Sequence, residues 1–74
     1  MTAFENISNI ELNSLIKITS LSHYDEYTNT CKVNDLAVVI DKDYLTNSIK
    51  VRLLQLKKNV WLDRSTCFEY ITTI

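Results

Sequence analysis

The chain contains neither glycine nor proline. Average usage would place about five of the first and four of the second in a chain this long. Every backbone position that needs a positive φ must therefore go to a residue with a β-carbon. Asn and Asp tolerate the left-handed region best, because their short polar side chains bond locally to the backbone. Seven Asn, at 6, 9, 13, 29, 34, 47 and 59, are thus the natural candidates for tight turns. Ile, Asn, Lys, Thr and Tyr are all plentiful, a composition typical of AT-rich coding sequence rather than of any function.

At 74 residues the chain is long enough for one domain. A domain of that size buries only about 60% of its unfolded surface, so its core is thin and a deep, dry active-site pocket is hard to build. The longest apolar run is Leu36 to Ile40, far below the roughly 20 residues that cross a bilayer. The start, Met1-Thr2-Ala3-Phe4-Glu5, lacks the basic and apolar regions of a signal peptide. The expectation is a cytoplasmic protein without a membrane partner. Cys31, Cys67 and His23 are too few and too scattered for a structural zinc, and two cysteines read as reduced thiols. No cofactor is implied.

Net charge is −1, but it is unevenly spread. Residues 1–44 hold three basic against seven acidic side chains, a net of −4, and residues 45–74 hold five against two, a net of +3. Attraction between the halves within one fold accounts for this simply.

Hydrophobic spacing reads mainly as short strands. Ile16, Ile18 and Ser20 alternate with Lys17, Thr19 and Leu21 from Leu15 onward, a period of two. Ser22 to Thr30 reads as a polar surface loop and Lys32-Val33-Asn34-Asp35 as a turn. Leu36 to Ile40 reads as a buried strand rich in β-branched residues. Asp41 to Ser48 reads as a connection, and Ile49, Val51 and Leu53 alternate with Lys50 and Arg52. The break at Leu53-Leu54 suggests a β-bulge. Lys57-Lys58-Asn59 then turns, Val60-Trp61-Leu62 is a strand, Asp63 to Thr66 turns, and Cys67 to Ile71 closes the set. Ile49, Leu53, Leu56 and Val60 also fit an amphipathic helix over 48–62. Strands agree better with the Lys-Lys-Asn break and with the neighbouring strands. Thr2 to Glu5 and Ser8 to Glu11 both fit a capping box, so the first fifteen residues read as a short helix.

The stretch Lys32-Val33-Asn34-Asp35-Leu36-Ala37-Val38-Val39-Ile40-Asp41 resembles the K-x-G-D-L-V-x-V-I-D opening of many Src-homology-3-like (SH3-like) barrels, KOW-type modules included. Ser48 to Leu54 resembles their second barrel strand, and Val60 to Ser65 with Phe68 to Ile71 resembles the closing pair. The likeness covers about residues 32–71 and points to small SH3-like proteins of tailed bacteriophages. It implies an all-β fold, a small barrel of about five strands over 15–74 with an N-terminal extension over 1–14. Asn34 stands where the pattern has glycine. Residues 48–56 form an extra strand where signalling SH3 domains would already have reached their tryptophan, so binding of proline-rich ligands is not carried over.

Catalytic motifs are absent: His23 with Asp25 is an imidazole–carboxylate neighbour pair without a nucleophile motif. The expectation is a non-enzymatic module that binds a protein, with a phage accessory protein acting on a host protein as the context the resemblance implies. Tyr24, Tyr27, Tyr44 and Trp61 are the candidate contact rings, since Tyr and Trp dominate interface hot spots. Asp25 and Glu26 would steer the loop toward a basic surface. Phe68 and Tyr70 are assigned to barrel closure or core. The rival reading is nucleic-acid binding through Lys50, Arg52, Lys57, Lys58 and Arg64 beside Trp61. A structural or homo-oligomeric role is a third. Asp25-Glu26 and Asp41-Lys42-Asp43 lack the pattern of a calcium loop and read as solvated charge.

Overall fold

The structure, a computed structural model, describes residues 9–74. Its elements are β1 (Ser14–Ser20), α1 (His23–Thr28), β2 (Leu36–Asp43), β3 (Ser48–Leu53), β4 (Lys58–Leu62) and β5 (Cys67–Thr73). The strands form one antiparallel sheet in the order β4-β3-β2-β1-β5. The fold is all-β with one short helix. Of the helix expected over the first fifteen residues, 1–8 lie outside the described residues, and the described part, 9–15, holds no α-helix but a turn and the start of β1. Asn13, with φ 69°, turns the chain into β1.

Alternation sets the two faces of the sheet. Ile16, Ile18, Ala37, Val39, Ile49, Val51, Leu53, Leu62 and Phe68 are buried on one face, with Cys31 among them. The opposite face carries Lys17, Lys50 and Arg52. Residues 48–62 are a hairpin, not a helix: Ile49↔Leu62, Lys50↔Trp61, Val51↔Val60, Arg52↔Asn59 and Leu53↔Lys58 pair in unbroken register.

The sheet cannot be flat. β4 ends opposite Ile49, which pairs with Lys42, while β5 begins opposite Ser20, beyond the Leu36 end of β2. On a flat sheet these points lie about 19 Å apart across the strands and roughly 27 Å apart along them. Residues 63–66 must join them, and so short a link reaches only about 18 Å. The sheet therefore curls around its buried face.

Curling stops short of closure, which corrects the expected barrel. Among the described residues β4 pairs only with β3 and β5 only with β1. Tyr70 is accordingly not in the core but 59% exposed, because none of the described strands covers β5 on its free side. Phe68 is buried as expected.

Four local expectations change. Ser22 to Thr30 is not a loop but contains α1. The turn after β3 is Leu54–Lys57 and β4 starts at Lys58, two residues before the Val60 start that the Lys-Lys-Asn break implies. No bulge lies at Leu53-Leu54, where β3 simply ends; the register shift lies in β2, between Val39 and Asp41. β2 continues to Asp43 and β5 to Thr73, so the Asp41–Ser48 connection shrinks to residues 44–47.

Positive φ falls on Asn13, Asn29, Asn34 and Asn47, and on Lys57. Asn34 sits in the Lys32–Asp35 turn with φ 77°. Asp35 Oδ2 accepts the Lys32 N–H at 2.8 Å and the Asp35 N–H reaches the Lys32 carbonyl at 3.1 Å, closing that turn twice.

Candidate interaction surface

Helix α1 is short, and isolated helices of this length do not persist in water. Its ends are held individually. Ser22 caps the start, its hydroxyl accepting the Asp25 N–H at 3.0 Å. Asp25 and Glu26 sit in the first turn, where negative charge meets the positive end of the helix dipole. Asn29, in the left-handed conformation with φ 55°, ends it. The spacing Ser22-x-x-Asp25 fits a capping box, a local pattern that the loop reading of Ser22 to Thr30 passes over.

Asp25 does more than cap. It is completely buried, and its Oδ2 accepts the Asp63 N–H at 3.0 Å and the Thr66 hydroxyl. The same Thr66 oxygen accepts the Ser22 N–H at 3.0 Å. One carboxylate therefore ties the helix to the link between the sheet's two edges. Asp25 is thus a structural residue and not the partner-facing charge expected of it. Glu26 remains exposed. Thr66 was invisible to sequence reasoning, since nothing local marks a contact across 41 positions.

The opposite side of α1 carries the rings. Tyr24 and Tyr27, three positions apart and so on one helix face, are 64% and 90% exposed. A second exposed pair stands at the β2–β3 tip, where Tyr44 is followed by Leu45, 98% exposed. Asp43 Oδ1 accepts the Leu45 N–H at 2.9 Å and Asn47 turns with φ 56°, so the tip has a defined shape. Leu45 was missed; an isolated Leu between Asp43 and Asn47, without a periodic partner, was its available signal.

The basic residues divide. Lys50 and Arg52 lie on the outer hairpin face with Trp61 and Asn59. The Lys50 ammonium sits 5.8 Å from the centre of the Trp61 ring, which is 45% exposed. Arg52 Nη1 donates to Asn59 Oδ1 at 3.4 Å. Lys58 pairs with buried Leu53 and so projects from the other face. Lys57 is in the turn and Arg64 in the link to β5. The five cations do not form a single stripe. Lys50 is also the register partner of Asp41, so acidic and basic halves meet within the sheet.

Cys31 and Cys67 are both free thiols. Burial pushes the Cys31 thiol up from 9.0 to about 11, with the charges of Asp25 and Asp35 adding to the rise against a smaller opposing effect of Lys58. Among the described residues no three His, Cys, Asp or Glu side chains gather as metal ligands, and no helix is long and apolar enough to cross a membrane.

No known protein family, curated protein or solved structure matches the chain. Fold and surface together define a small all-β domain whose exposed aromatic side chains are carried on individually fastened elements.

Proposed function

We propose that this chain is a non-enzymatic protein-binding module whose principal contact is the Tyr24–Tyr27 face of α1. The observation that carries this reading is the pairing of two largely exposed tyrosines with a buried carboxylate on the same helix. A helix backbone fixed before binding need not be ordered when its rings are covered, so their buried area converts more fully into affinity. The Tyr44–Leu45 tip supplies a second apolar contact of defined shape. The resemblance to small SH3-like phage proteins supports a host protein as the partner, bound and modulated by the module in the cytoplasm of an infected bacterium.

The test is affinity capture from the host lysate with the wild-type chain and with Tyr24→Ala/Tyr27→Ala. A specific partner retained by the first and lost by the second, with circular dichroism unchanged, supports the reading. Equal capture by both removes α1 from it.

One observation favours a second reading. A cation over an exposed tryptophan on a sheet face is an arrangement that can stack a base and meet a phosphate. The chain's net negative charge opposes it. Binding to single-stranded nucleic acid that falls steeply with salt and vanishes in Lys50→Glu/Arg52→Glu would establish this alternative.

A further inference from the structure

The two edges of the curled sheet are not equivalent. β5 is irregular, with register shifts against β1 on either side of its Phe68–Tyr70 pairing. β4 is regular and pairs with β3 at five consecutive positions without a shift. None of the hydrogen bonds outside the strand ladders engages a β4 residue's backbone among the described residues. Among the described residues β4 therefore presents a regular row of amides and carbonyls without a partner on its free side, and such a row is a template for another strand.

The side chains around this row say which strand fits. Val60 is half-buried against the core, directly beside the open seam. An incoming strand would cover it with every second side chain. Lys57, Lys58 and Arg64 flank the edge against Asp63, with Lys50 and Arg52 on the adjoining strand. Those flanking residues sum to a net positive charge, so two copies of the edge repel overall, and an acidic strand complements it better than a second copy does. The geometry points to strand addition at β4 by an extended acidic peptide segment of a protein partner, alternating β-branched residues with Asp or Glu. This inference stands apart from the α1 face, since it uses main-chain pairing at a different element.

The experiment uses the full chain labelled with nitrogen-15. The probes are a seven-residue peptide alternating valine with glutamate, its valine–lysine counterpart, and oligothymidylate. Expected are amide shifts centred on 58–62 with the acidic peptide alone, together with about tenfold slower hydrogen exchange of the β4 amides that β3 leaves unpaired. Lys57→Glu/Lys58→Glu should weaken that binding about tenfold while leaving the circular dichroism spectrum intact. Slow exchange of all β4 amides in the free chain would overturn the inference, because the edge would already be covered. So would an equal response to the basic peptide, no response to the acidic one at millimolar concentration, or shifts without added protection. A response to oligothymidylate alone would assign the edge's cations to nucleic acid instead.

Discussion

Asp25 and Thr66, 41 positions apart, share a hydrogen bond inside the protein in which the threonine hydroxyl donates to the carboxylate. Asp25 also accepts the Asp63 amide, and Thr66 accepts the Ser22 amide. The chain thus fastens its helix and its edge-to-edge link at one point. Asp25→Ala would leave the Asp63 N–H and the Thr66 hydroxyl without their acceptor, at a cost of about 3 kcal/mol. Against a total near 5 kcal/mol for so small a domain, that is most of the stability. Thr66→Val should cost about 2 kcal/mol, since it strands the Ser22 amide, and Thr66→Ser should recover most of the loss. Urea unfolding followed by circular dichroism reads all three; a Thr66→Val midpoint equal to wild type would contradict this account.

Backbone conformation gives a prediction of opposite sign. Lys57 adopts φ 52° in the turn between β3 and β4, where a straight-chain residue is at a steric disadvantage. Lys57→Gly should raise stability by about 1 kcal/mol. Asn34→Gly should change it by less than about 0.5 kcal/mol, because Asn already tolerates this region. Asn34→Val, with its branched β-carbon, should destabilise by about 2 kcal/mol or more. Thermal melts of the three variants should therefore rank Lys57→Gly highest and Asn34→Val lowest.

These cases mark what the sequence makes legible. Absence of glycine pointed to asparagine, and Asn13, Asn29, Asn34 and Asn47 do take positive φ. Alternation around Ile16, Val39 and Val51 revealed the strands and their buried face, because burial on one side of a sheet imposes a period of two. Lys57 was not anticipated, since its conformation follows from where β3 stops. The α1 segment reads as a loop because its polar, aromatic composition lacks an apolar stripe; the helix is held by one buried carboxylate instead. That same burial removes Asp25 from the exposed surface while leaving Tyr24 and Tyr27 on it. The open seam likewise escaped notice, because a strand's own residues do not tell whether another strand covers its edge.

Trp61 is the only tryptophan in the chain, and Lys50 lies across its ring. Indole emission is therefore a direct report on this contact. Lys50→Met should keep the aliphatic cover, remove the charge, shift the emission and cost about 0.5–1 kcal/mol. Lys50→Arg should retain both stability and spectrum, because a guanidinium also interacts with the ring. Identical emission from wild type and Lys50→Met would show that the ammonium does not reside over the indole in solution.

The buried Cys31 thiol makes stability fall at alkaline pH. Its ordinary value of 9.0 applies in the unfolded chain, whereas burial and the nearby Asp25 and Asp35 charges raise it to about 11 in the fold. Below pH 9 both states hold the proton and the thiol adds no pH dependence. Between 9 and about 11 the unfolded chain loses the proton while the native state keeps it, so unfolding is increasingly favoured as pH rises. Cys31→Ala should flatten this part of the stability curve, while Cys67→Ala should leave it in place. The same elevation predicts slow alkylation: at pH 8 iodoacetamide should label Cys67 ahead of Cys31, and denaturant should abolish the difference. Rapid labelling of Cys31 in the native chain would mean that the thiol is not enclosed by the core.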